Sequence, residues 1–99
     1  MPQPLVPSWE SASGILIVPL GSTEQHGPHL PLAVDALIAE AVADDLADRW
    51  GSQGVAAVVA PVLSYGASGE HEDFAGTISI GTAAMRTVVV EIGRSAGRW

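Results

Sequence analysis

The chain has 99 residues, a formal net charge of −7, no cysteine and 47% hydrophobic residues. That length allows one small domain with a modest core, and the missing cysteines exclude both a disulfide framework and a thiolate metal site. Its four basic residues are all Arg and do not cluster, which argues against a nucleic-acid surface.

Residues 1–13, "MPQPLVPSWESAS", carry three prolines and three serines and read as an irregular arm. They lack the charged start and apolar run of a signal peptide. No stretch of the chain approaches the ~20 apolar residues that span a bilayer. A cytoplasmic protein with no membrane partner is the expectation.

"GILIVPLGS" follows, with four branched apolar residues in a row and then Pro and a Gly-Ser turn. A run without alternation suits a strand buried on both faces of a parallel sheet, here expected over 15–20. The next segment, "TEQHGPHLPLAVD", is polar and stiffened by Pro28 and Pro31. "DALIAEAVADDLADRWG" then places Val34, Ile38, Val42 and Leu46 on one helical stripe, flanked by Leu37 and Ala41. Glu40, Asp44 and Asp48 take the other side, and Gly51 stands where the helix should end.

"VAAVVAPVL" (55–63) is a second buried-strand candidate. "SYGASGEHEDFAGTISIG" is a Gly-rich loop that closes in a short extended piece at 77–80. "TAAMRTVVVEIGRSAGRW" brings Met85, Val88, Val89 and Ile92 onto one face of a further helix, with Thr82 as its N-cap. Strand, loop, helix, strand, loop, helix is the pattern of an α/β fold with a parallel sheet. Both polar loops leave the carboxyl ends of their strands, the edge where such sheets bind ligands.

Glu24 and His26 are two residues apart, so in an extended segment both side chains point to one side. Asp35 opens the helix, where its carboxylate can cap the helix, bind a metal, or do both. Imidazole with carboxylates suits Zn²⁺, Mn²⁺ or Fe²⁺. Spacing alone leaves a plainer alternative open: a capping Asp35, a solvated Glu24, and histidines packed on prolines. In the second loop, Ser68 can hydrogen-bond a substrate carbonyl or amide. Gly69 lets a ligand approach the backbone closely. Glu70 and His71 are adjacent, so an extended segment sends them to opposite sides. Ser68 has no basic partner at nucleophile-elbow spacing, which leaves a Ser-His-Asp hydrolase unsupported.

"VPLGSTEQHGPHLPLAVD" followed by "YGASGEHEDFAGTISIG" resembles the creatininase (creatinine amidohydrolase) family, over residues 14–99. The resemblance implies a three-layer parallel-sheet fold, of which this chain holds the N-terminal βαβα portion. It also implies a metal-dependent amide hydrolase with two divalent ions, Zn²⁺ first, with Fe²⁺ or Mn²⁺ as alternatives. Glu24 would bind one ion, His26 the other, and Asp35 would bridge them. His29 belongs to the family's pattern, and its reading stays open between orienting Glu24 or a water at the metal and being a plain, partly exposed loop histidine. Ser68, Gly69, Glu70 and His71 would line the substrate side.

Within the family the texture is nearest a peptidase that trims a ribosomally made precursor peptide. A creatinine-type cyclic amide is the alternative substrate, and a non-catalytic subunit needing a second chain is the alternative role. Family domains continue past the second helix into a strand and a Gly-His-rich loop that supply a further His and Glu. The sequence is therefore expected to be an N-terminal fragment, inactive by itself, of a protein that forms homo-oligomers. No residue of it is assigned a catalytic role outside the metal ligands.

Overall fold

The computed structural model describes residues 14–98. The irregular arm expected over residues 1–13 lies outside the described residues. β1 (Ile15–Ile17) and β2 (Ala57–Val59) pair in parallel, with Ile15 opposite Ala57, Leu16 opposite Val58 and Ile17 opposite Val59. Branched side chains restrict χ1 and favour this extended backbone. The pairing continues beyond the strands through Ala60 N–H to Ile17 O (2.8 Å), Leu63 N–H to Pro19 O (3.0 Å) and Gly21 N–H to Leu63 O (2.8 Å). Pro19 has no N–H to donate at the next ladder position, so the regular pairing stays shorter than the expected 15–20 and 55–63. Both strands are half-buried rather than covered on both faces.

α1 (Val34–Ser52) crosses back and packs on β2. Its orientation reverses the expectation from periodicity. Ala36 and Ala43, each 4% exposed, form the inward face, whereas Ile38 and Val42 are 57% and 62% exposed. Leu37 and Leu46 are exposed with them, while Glu40 and Asp44 turn half inward. Asp44 Oδ1 is buried without a hydrogen-bond partner among the described residues.

The reason for the reversal is steric. A methyl group at Gly21 would lie 2.5 Å from the Ala36 Cα, and one at Gly66 would lie 2.8 Å from the Gly21 carbonyl oxygen. Backbone meets backbone here, and only the alanine face of the helix fits so close. At its far end, Gly51 stays inside the helix. The chain reverses at Gln53 and Gly54 instead, where Gly54 takes a left-handed φ of +79°.

Past β2 the second loop forms a single 3₁₀ turn at Gly69–His71 and then meets the first loop. Ile78 N–H donates to Thr23 O at 2.9 Å, in an antiparallel bridge, and Gln25 N–H donates to Thr77 Oγ1 at 3.1 Å. Thr23 Oγ1 donates to Ser64 O at 2.7 Å. The two polar loops are thus tied side by side at the carboxyl edge of the sheet.

α2 (Gly81–Ala96) follows. Thr82 lies inside it and is exposed, so it does not cap; Ser79 Oγ accepts from Gly81 N–H (3.1 Å) and from Ser68 N–H (2.9 Å). Met85, Val88 and Ile92 are half-buried as their spacing requires, but Val89 is exposed. Ile92 and Ala96 line an apolar cavity of about 370 Å³ with Leu16, Val18 and Leu63 of the sheet. No helix among the described residues is long and apolar enough to cross a membrane.

The close contact at Gly21 makes a stability prediction. Gly21→Ala forces backbone apart and should cost at least about 1–3 kcal/mol, as overpacking does. Gly93→Ala, inside α2 with open space around it, should stabilise by about 0.5–1 kcal/mol. Urea unfolding of both variants measures the pair, and equal stabilities would show that the helix does not rest on Gly21.

Candidate metal centre

Ser22, Glu24 and His26 leave β1 on an extended segment, so alternate side chains reach the same side. The first turn of α1 brings Asp35 against them. Donor atoms of Glu24, His26 and Asp35 lie within 4.8 Å of one another, and those of Glu24, Glu70 and His71 form a second such group. Glu24 belongs to both.

The hydrogen bonds define what this cluster lacks. Ser22 Oγ lies 2.9 Å from Glu24 Oε1 and 2.8 Å from Asp35 Oδ2. A hydroxyl has one proton, so it donates to one of two ionised carboxylates at a time. His26 Nδ1 lies 2.9 Å from the Glu24 carbonyl oxygen, which can only accept, so that nitrogen carries the proton. In the neutral ring, Nε2 then presents a lone pair, 3.5 Å from Asp35 Oδ1. Two carboxylates and an imidazole lone pair facing one another repel unless a proton or cation sits among them.

The Asp35 carboxyl is held below its ordinary value of 3.8, first by hydrogen bonding with Glu24 and then by the Ser22 hydroxyl. Desolvation opposes that shift, and His26 adds a smaller downward pull. A site that favours ionised carboxylate beside an imidazole nitrogen suits a divalent cation of the zinc, manganese or iron class. The backbone carbonyl on the other ring nitrogen is a common support for a metal-binding histidine. The residues present fit a metal.

Asp35 is not the N-cap; Ala33 is, and the Asp35 side chain is turned to Ser22 instead. His29 sits exposed in the turn at 28–30 and joins neither donor group. In the second loop, His71 Nε2 comes 4.0 Å from Glu24 Oε2 and 4.0 Å from Glu70 Oε1, so both residues reach the same side. The 3₁₀ turn causes this, because the extended geometry that would separate neighbours does not hold there. Gly69 is open to solvent, but Ser68 is 1% exposed and its Oγ has no hydrogen-bond partner among the described residues. The sequence reading missed Ser22, although its period-two spacing with Glu24 and His26 was the available signal.

A family model described as Creatininase, creatinine amidohydrolase, matches residues 1–99. The mycofactocin precursor peptide peptidase of Mycolicibacterium smegmatis is 58% identical over 86 residues, covering 86% of this chain and 35% of that protein. A mutant creatininase complexed with creatine superposes with a TM-score of 0.82 at 33% identity, over 96% of this chain and 38% of the other. A mutant creatininase of Zn-Zn type gives 0.75 at 37% identity, over 86% and 33%. The chain thus spans about a third of the length of the relatives it matches.

The depressed Asp35 pKa has a testable sign. A carboxyl whose folded pKa lies below its unfolded value adds stability at neutral pH, and that stability is lost as pH falls through the folded pKa. Stability of the metal-free chain should therefore decline as pH drops below 3.8, and Asp35→Asn should flatten that part of the curve. Urea midpoints measured across the acid range check it; parallel curves would contradict it.

Proposed function

The chain belongs to the creatininase family, and from that premise we propose that it forms the metal-holding part of an amide hydrolase acting on a peptide. The convergence of Glu24, His26 and Asp35, with His26 Nε2 turned into the cluster, carries the reading. Glu24 would hold one divalent ion, His26 the other, and the Asp35 carboxylate would bridge the two. Zn²⁺ ranks first for this donor set, with Fe²⁺ and Mn²⁺ behind it. When bound, such a pair supplies Lewis acidity and a nucleophilic water at neutral pH.

The chain's own residues prepare the site. The His26 Nδ1–H donated to the Glu24 carbonyl fixes the ring's orientation and tautomer. The rigid loop from Pro28 to Pro31 and the start of α1 set Asp35 against Glu24. Glu70 and His71 stand beside Glu24 and, with Gly69 before them, would form the rim along which a substrate chain lies. Ser68 would need the loop to open before its hydroxyl could meet a substrate.

A peptide substrate is favoured because the mycobacterial relative with the peptidase name is 58% identical, against 33–37% for the creatininases. A small cyclic amide such as creatinine is the second reading, supported by the fold match to the creatine complex. A cytoplasmic homo-oligomer completes the proposal for the longer family member.

Metal analysis of a full-length relative tests the bridge. The change equivalent to Asp35→Ala should lose both ions and that equivalent to His26→Ala mainly one; equal retention of two ions in both contradicts it. Turnover of creatinine alone, with the precursor peptide untouched, would refute the peptidase reading. Residues 1–99 by themselves should bind fewer than two ions and cleave no amide. Three residues offer too few donors for two ions of four or more ligands. Two tightly held ions and peptide cleavage by residues 1–99 would overturn that expectation.

A further inference from the structure

Each carboxylate at the centre has two oxygens, and the hydrogen bonds divide them unequally. Ser22 Oγ takes Glu24 Oε1 at 2.9 Å and Asp35 Oδ2 at 2.8 Å. The other oxygen of each faces an imidazole nitrogen: Asp35 Oδ1 lies 3.5 Å from His26 Nε2, and Glu24 Oε2 lies 4.0 Å from His71 Nε2. One hydroxyl therefore sits against the inner oxygen of both acids, donating its single proton to one or the other in turn, and leaves one outward oxygen on each beside a histidine nitrogen.

We infer that Ser22 is the positioning residue of this centre, holding the two carboxylates so that the outward oxygen of each is turned toward a histidine. This rests on the proposed metal reading and adds to it a residue outside the ligand set.

Ser22 is well placed to hold still. Its neighbour Gly21 is pinned by the N–H bond to Leu63 O at 2.8 Å and by contact with Ala36, and Thr23 is pinned by Ser64 O and by Ile78 N–H. Asp35 adjoins Ala36, so the backbone contact that seats the helix also sets the Ser22–Asp35 distance. Without the hydroxyl, both carboxylates are free to rotate, and the like charges would turn apart. Other rotamers would then compete with the ones that turn an oxygen of each acid toward a histidine. Ser22 also supplies a proton without consuming a ligand oxygen that faces the histidines. A cation can therefore enter without displacing it.

The test uses Co²⁺ as the probe, titrated into a full-length relative carrying the changes equivalent to those below and followed by the departure of its visible d–d absorption from that of aqueous Co²⁺, with far-ultraviolet circular dichroism reporting the helices. Removing a hydrogen-bonding partner of a metal ligand typically lowers affinity by about 10–100-fold. Ser22→Ala should show a loss of that size and a changed Co²⁺ spectrum at unchanged helix content. Ser22→Thr, which keeps the hydroxyl, should recover most of the affinity and the original spectrum. Wild-type affinity and spectrum in Ser22→Ala would overturn the positioning role alone. Equal losses in the Ala and Thr variants would overturn it too, because the hydroxyl would then not be what matters. A full-length relative in which Co²⁺ keeps its aqueous spectrum would overturn the metal reading itself, and this role with it.

Discussion

The contact between Gly21 and Ala36 is the constraint on which the rest of the arrangement depends. With a methyl at Gly21 only 2.5 Å from the Ala36 Cα, the loop after β1 and the first turn of α1 meet backbone to backbone. Gly66 approaches Gly21 in the same way from the second loop. Three segments far apart in sequence are thereby gathered at one point on the carboxyl edge of the sheet. Ser22 follows Gly21 and Asp35 precedes Ala36, so the packing contact and the polar cluster are two sides of one junction. Carboxylates that repel are held together by a contact that has nothing to do with charge.

That junction brings these groups together where the proposed chemistry would use them. Glu24 and Asp35 both lie against the Ser22 hydroxyl, and the His26 ring turns Nε2 toward Asp35. The surroundings favour the ionised form of Asp35 and hold its carboxyl below the ordinary value. Acids and an imidazole gathered at a loop edge are an arrangement that functional sites use. A divalent cation suits it directly, by supplying positive charge between carboxylate oxygens and an imidazole nitrogen.

The helices show a related division of labour. α1 spends its alanines on the close contact with the sheet and carries Leu37, Ile38, Val42 and Leu46 outward. A helix apolar on two faces belongs between two layers. α2 divides likewise, with Met85, Val88 and Ile92 half-buried while Val89 and Val90 are exposed. Relatives roughly three times as long share this part of the fold, and in a three-layer α/β architecture such second faces are where further elements pack.

The order of elements and the parallel pairing follow from the sequence by itself, whereas for Glu24, His26 and Asp35 spacing left two readings open and the resemblance of the loop motifs favoured the metal one. Branched apolar runs favour strands, and a polar loop with period-two acid and histidine aims both side chains one way. The two loop motifs together also carried the family. Which face of α1 turns inward did not follow. Periodicity ranks faces by hydrophobicity, whereas the close approach at Gly21 selects by size and admits only alanine. The same limit hid Ser22, whose importance lies in its distance to Asp35, thirteen residues away, and not in any local pattern. It also hid the partnership of Glu70 and His71 at Glu24, which one turn of 3₁₀ helix creates by breaking the alternation of an extended loop. Local spacing determines what each segment can present; only the packing of backbone on backbone decides which groups meet.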